Sequence, residues 1–337
     1  MKKDNVTNTV VAKKKNKNDW TRFILLFALF ATVAFFGIVN PRFVSLTNIM
    51  DMLRTASIIG TFACGLTVVM TSGYLNLALG AQATCCAVIF GLLMEKSPGW
   101  EMYPVFVLIT IACSIVLSLL TGVVTIELGI PAYIATLGIK SLIDALVSFL
   151  TNNTMLYSTE WTDAYFYIGN EYVFDVIPVS VVLFLFITLV MIFITEKTRS
   201  GRHLYATGSN LVAATQVGIP VRRMRYLSFV ICGVMIAIGG IILGSYSYSV
   251  SLTVGQDYQM PAIVAVMLGA TFLTPGKYNI IGTVIGAILF TCIQNGIIGM
   301  GAPFYIRDAV QGLVLMLAIG TISLTREGGL SKVTFEN

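Results

Sequence analysis

The sequence predicts an all-α polytopic membrane protein that crosses a bilayer about ten times, with both termini cytoplasmic. Three observations carry that expectation. Of 337 residues, 56% are hydrophobic and only 11% charged, with mean hydropathy +0.86, whereas a soluble domain carries about 25% charged residues. Apolar runs of about 20 residues, long enough to cross hydrocarbon as helices, recur along the whole chain. The net charge of +5 is concentrated between alternate runs, as expected when Lys and Arg are retained in the cytoplasm. No soluble domain can be cut out. The basic balance therefore speaks of topology and anionic lipid headgroups rather than nucleic acid.

The elements follow in order. Residues 1–22 carry Lys2, Lys3, Lys13, Lys14, Lys15, Lys17 and Arg22 and read as a disordered cytoplasmic basic tail ahead of a transmembrane domain at 23–326. The first span is 23–39. Its basic flank resembles a signal peptide, but no A-x-A-like cleavage site follows, so a retained anchor is expected. Residues 40–54 read as an outer loop with a short interfacial helix. Spans at 56–70 and 75–94 are joined by 71–80, and an outer turn at 95–101 leads to a fourth span, 103–126. A tight inner turn closed by Pro131 precedes the fifth span, 132–150.

The loop at 151–176 holds Glu160, Asp163, Glu171 and Asp175 but no Lys or Arg. Its Trp161, Tyr165, Phe166, Tyr167 and Tyr172 suit a membrane interface, so it is placed outside. The sixth span, 177–194, returns to the cytoplasm. Spans at 226–244, 260–274, 280–298 and 305–324 complete the count, with 327–337 as a cytoplasmic tail. Pro261 and flanking glycines leave the 260–274 segment open between a span and a re-entrant element.

Residues 196–225 form a polar island with six Lys/Arg against one Glu. Asn210 suits a helix N-cap, 211–217 two turns, Gly218 the position after the helix, and Pro220 the stop. A short capped helix between two spans suits docking of a soluble partner; an ordinary retained basic loop is the other reading.

Little chemistry is available to the chain alone. The single histidine, His203, sits in the island and reads as a solvated loop residue. The six cysteines fall in apolar runs, and adjacent Cys85 and Cys86 lack metal-ligand spacing. Residues 269–277 superficially suggest a phosphate loop, but the spacing is wrong and Tyr278 stands where Ser or Thr is required. No catalytic residue, metal site or cofactor is expected, and transport is favoured over enzymatic activity. Lys140 and Asp144 are the midspan charges, four residues apart on one helical face. An isolated charge there costs about 2.5–3.5 kcal/mol. A mutually neutralised buried pair is expected, with the binding site of an ion-coupled secondary carrier as the alternative.

At this point the motifs matter. The inner loop shows Arg199, Gly201, Arg202, Tyr205, Ala206, Gly208, Asn210, Ala213, Ala214, Gly218 and Ile219 in the pattern R-x-G-R-x-x-Y-A-x-G-x-N followed by a short helix ending in G-I. A second stretch runs Ser72-Gly73-Tyr74-Leu75-Asn76-Leu77-Ala78-Leu79-Gly80. Ile134-Ala135-Thr136-Leu137-Gly138 is a third, and Gly282-Thr283, Gly286-Ala287 and Asn295-Gly296 a fourth. On these the chain resembles the membrane permeases of bacterial ABC importers of the ribose/xylose/galactose type, over most of its length.

The resemblance implies an importer permease fold and coupling to an ATP-binding subunit through Arg199, Gly201, Arg202, Gly208, Asn210, Ala213, Ala214 and Gly218. It also implies an extracytoplasmic solute-binding protein and a second permease subunit around a two-fold axis. Sugar is the implied solute class, with nucleosides and branched-chain amino acids as alternatives. Tyr74, Asn76, Tyr246, Tyr248 and Gln259 are the residues placed nearest the solute path.

Departures from the family pattern cluster along that path. Asn76 and Ala78 stand where the family has Asp and Ser, and Lys140, Asp144 and Ala145 alter the third motif. Tyr258-Gln259-Met260-Pro261-Ala262 replaces Y-E-L-D-A, and Gly269-Ala270-Thr271-Phe272 replaces G-G-T-S. Three motif carboxylates are lost while the motor contact is kept. Two accounts fit this, an unusual substrate or one half of a heterodimeric permease, and a heterodimer with a different permease is favoured over two copies of this chain.

Overall fold

The computed structural model of the chain describes residues 23–97, 99–272 and 276–325. The expected tails at 1–22 and 327–337 lie outside the described residues. Within them the chain forms thirteen α-helices and one two-stranded hairpin. α1 (Ile24–Val39) leads through a tight turn, Pro41–Val44, into α2 (Leu46–Thr71). α3 (Leu79–Lys96), α4 (Tyr103–Ile126) and α5 (Ala132–Leu150) follow, then the short α6 (Asp163–Asn170) and the hairpin β1 (Tyr172–Val173) and β2 (Ile177–Pro178). α7 (Val179–Ile192) ends in a wider π-helical turn, Phe193–Lys197, before α8 (Arg199–Ser209) and α9 (Leu211–Gln216). α10 (Val221–Tyr246), α11 (Gln256–Gly269), α12 (Ile280–Gly299) and α13 (Phe304–Thr325) complete the bundle.

α2 and α10 form its axis. Each has 26 residues, about 39 Å of helix. Phe62, Leu66, Phe229 and Ile236 pack between them with Leu79, Ala262 and Val266 of neighbouring helices. Small hydroxyl residues tie the spans together: Thr67 and Thr283 hydroxyls meet at 2.8 Å, and those of Ser72 and Ser228 at 2.9 Å. Gln82 Nε2, fully buried, donates to the Ser114 and Ser118 hydroxyls at 2.9 and 2.8 Å, joining α3 to α4. Such bonds hold helices together where lipid tails remove the usual hydrophobic drive. α4, α5 and α7 instead leave Leu108, Leu142, Phe149 and Leu189 exposed on their outer faces. These apolar faces suit lipid.

Among the described residues, seven helices are long and apolar enough to cross a membrane: α2, α3, α4, α5, Val179–Lys197, α10 and α12. Two expected spans are shorter, with 16 residues in α1 and 14 in α11. Several boundaries also differ from the sequence-based expectation. The loop expected at 40–54 is mostly helix, because Ser45 caps α2 through Asn48 N–H at 3.4 Å and no breaker follows. α3 starts at Leu79 rather than residue 75. Asn76 Oδ1 accepts from Ala78 N–H at 3.0 Å, and that local turn competes with helix over 72–78. α11 begins at Gln256, so Pro261 lies inside it near the start.

Candidate solute path and coupling face

α7 separates two unlike ends of the bundle. One end carries α8, α9 and the basic residues of the island; the other carries α6 and the hairpin with its acids.

At the basic end, Thr198 Oγ1 accepts from Gly201 N–H at 3.1 Å and opens α8. The sequence reading missed this helix, since its Ser and Gly residues signal loop. Burial of Gly201, Leu204 and Thr207 against the bundle stabilises it instead. A side chain at Gly208 would collide with the Thr71 carbonyl, so α8 lies directly on the last turn of α2. Asn210 Oδ1 then accepts from Ala213 N–H at 3.0 Å, capping α9 as expected. The helix closes with Gly218 N–H on the Thr215 carbonyl and Ile219 N–H on the Ala214 carbonyl, both 3.0 Å, with Gly218 at φ +79°. This is the Schellman arrangement. Ala214 is buried, while Arg199, Arg202 and Ala213 are exposed. The apolar side chains α9 presents outward are Leu211, Val212 and Val217.

Beside it, Glu127 accepts from the Tyr226 hydroxyl at 2.7 Å and from Arg222 Nε at 2.7 Å. The Tyr226 hydrogen bond, and then that of Arg222, hold its carboxyl below the usual carboxylate range.

The expected path residues fall at three levels along α10. Tyr74 lies near the basic end, 5.8 Å from the Phe229 ring, with the Arg225 guanidinium 5.1 Å over its own ring. Asn76 is fully buried above it. Midway through the bundle, Gln259 Oε1 accepts from Gly80 N–H at 3.3 Å, and Gly255 N–H donates to Thr84 Oγ1 at 3.0 Å. A Cβ on Gly255 would overlap the Gly80 carbonyl. The starts of α3 and α11 therefore interlock inside the protein, each preceded by non-helical chain. At the far end Tyr246 and the more exposed Tyr248 mark the exit of α10, and Tyr248 lies 5.0 Å from Phe166.

Lys140 and Asp144 do not form the ion pair expected of them among the described residues. Both are half-buried, and Asp144 Oδ1 accepts from Gln256 Nε2 at 3.1 Å. Gln256 opens α11 next to α5, which gives the short Asp side chain a partner on the adjoining helix. The sequence offered no signal for this contact, because the two residues lie 112 positions apart.

Comparison with known proteins decides the family. Residues 48–319 match the family described as branched-chain amino acid transport system / permease component. The chain belongs to this family of permease components. The autoinducer 2 import system permease protein LsrD of Enterobacter sp. (strain 638) is 30% identical over 313 residues, covering 90% of this chain and 93% of the relative. The ribose import permease protein RbsC of Escherichia coli (strain K12) is 29% identical, covering 87% and 91%. The probable ABC transporter permease protein YphD of the same strain is 29% identical, covering 88% of each chain. No solved structure matches. The chain is thus a multi-pass membrane permease component.

Proposed function

We propose that this chain is the permease subunit of an ATP-driven importer and carries a sugar or similar small polar solute inward through the break where α3 and α11 begin. The interlocked helix starts at Gly80 and Gly255 carry this reading. Discontinuous helix starts inside a bundle are where transporters place their solute sites. Asn76, Gln256 and Gln259 add amides that both donate and accept, matching hydroxyl groups. The ribose and autoinducer 2 import relatives support the solute class. On this reading all ten expected segments span, the basic end is cytoplasmic, and the acidic loop with Tyr248 faces the solute-binding protein. A separate subunit hydrolyses ATP and seats on α9 through Leu211, Val212 and Val217, with Arg199 and Arg202 at its rim. Closure of the motor then moves the spans as rigid bodies. A different permease subunit supplies the carboxylates that Asn76 and Gln259 replace.

Reconstitution with the ATP-binding subunit, the partner permease subunit and the solute-binding protein in proteoliposomes tests the proposal. ATP-dependent uptake of D-ribose, D-xylose or D-galactose is expected. Uptake of L-leucine instead would favour the amino-acid reading suggested by the family description. Val212→Asp combined with Val217→Asp should abolish stimulated ATP hydrolysis without reducing membrane insertion; unchanged capture of the ATP-binding subunit would remove α9 from the interface. Native mass measurement bears on the pairing, since two copies of this chain transporting unaided would refute the heterodimer.

A further inference from the structure

Arg54 is the cation of α2 nearest the hairpin end, and its residue exposure is only 8%. Its Nη1 is 3.9 Å from Asp51 Oδ1. The remaining nitrogens, Nε and Nη2, are buried and have no hydrogen-bond partner among the described residues. Those two share one edge of the guanidinium, so their N–H bonds run side by side as an open fork. The Tyr172 ring lies 4.8 Å from the guanidinium carbon and the Tyr246 ring 5.7 Å. Both residues are partly exposed, at 41% and 36%, so the pair of rings over the guanidinium reaches the surface. Buried donors without acceptors are costly, by about 1–3 kcal/mol each and more when charged. A site that keeps two of them parallel is built for something that supplies two acceptors.

We propose that the Arg54 fork is a solute-binding site near the entrance of the path and takes two adjacent hydroxyl oxygens of a sugar, with Tyr172 and Tyr246 flanking the sugar ring. The proposal rests on the sugar-import reading above. The fork also fits a carboxylate, but the surroundings disfavour one. Asp51 already stands beside the guanidinium, and the neighbouring loop carries Glu160, Asp163, Glu171 and Asp175 with no Lys or Arg. An anion arriving there meets like charge, whereas a neutral polyol does not. Aromatic rings add flat apolar surface that suits the C–H faces of a sugar.

Phenylglyoxal, which condenses with accessible guanidinium groups, provides the test on the full-length chain in lipid nanodiscs, with Arg54 read by peptide mass spectrometry. Labelling of Arg54 is expected, with at least fivefold protection by 100 mM D-ribose, D-xylose or D-galactose and none by 1,4-butanediol, whose hydroxyls are not adjacent. Arg54→Lys keeps the charge but loses the fork, so sugar uptake by the assembled importer should fall at least tenfold while capture of the ATP-binding subunit is unchanged. Failure of Arg54 to label would mean that no solute-sized molecule reaches it, and would overturn the site. Protection by acetate alone would replace the diol with a carboxylate and overturn the assignment. If wild-type importer takes up sugar but no sugar protects Arg54, the fork is wrong and the sugar reading stands. If there is neither uptake nor protection, both fall.

Discussion

At the scale of single residues, partner choice has measurable consequences. Asp144 is held by Gln256, so Lys140→Met should lower the thermal midpoint of the purified chain less than Asp144→Ala, which strands the Gln256 amide. Asp144→Asn retains an acceptor and should fall between them. Equal losses for Lys140→Met and Asp144→Ala would restore the pairing expected from their spacing. Glu127 supplies a pH dependence. Its folded-state carboxyl lies below the ordinary value, so the stability it contributes is present above the unfolded pKa of about 4.3. That stability is lost as pH falls through the lower folded value. Wild type should therefore exceed Glu127→Gln in thermal midpoint at pH 7, and the two should converge in stronger acid. Because the group is solvent-exposed, the difference will be small.

At the scale of elements, local chemistry and tertiary packing divide the work. Asn210→Ala should cost α9 about 1 kcal/mol, seen as faster amide hydrogen exchange at Ala213. α9 was legible because its stop and start are both written in local residues: the Asn210 cap, Gly218 and Pro220. α8 was not legible, since Thr198-Arg199-Ser200-Gly201 reads as loop and only burial of Leu204 and Thr207 against other helices reverses that. The start of α3 was misplaced for a related reason. Leu75 and Leu77 extend the apolar run, while the turn at Asn76 that delays the helix is a single hydrogen bond. Gln259→Glu keeps an acceptor of the same length for Gly80 N–H and should leave the folded yield unchanged. Gln259→Leu should reduce it by leaving that amide unpaired beside a tight backbone contact.

At the scale of the whole molecule, composition and hydropathy made the all-α, multi-pass membrane class readable, because each span must bury its own length in hydrocarbon. Contacts between distant spans, such as Gln256 with Asp144 or Gly208 with Thr71, depend on how the helices are arranged around one another. No single stretch of sequence encodes that. The packing also sets reactivity. Cys64, Cys85, Cys86, Cys232 and Cys292 are buried, with Cys113 partly so. A water-soluble maleimide should leave those five unmodified in the folded chain and label all six after denaturation in sodium dodecyl sulfate. The position of α8 has a last consequence. Thr71, on which Gly208 is pressed, and Arg54 belong to one helix with no proline between them, about 26 Å apart along its axis. On the reading proposed above, α2 would act as a push-rod: a stroke delivered at its carbonyl end would reach the guanidinium without passing through a joint, and the grip on the solute and the motor would keep the same time.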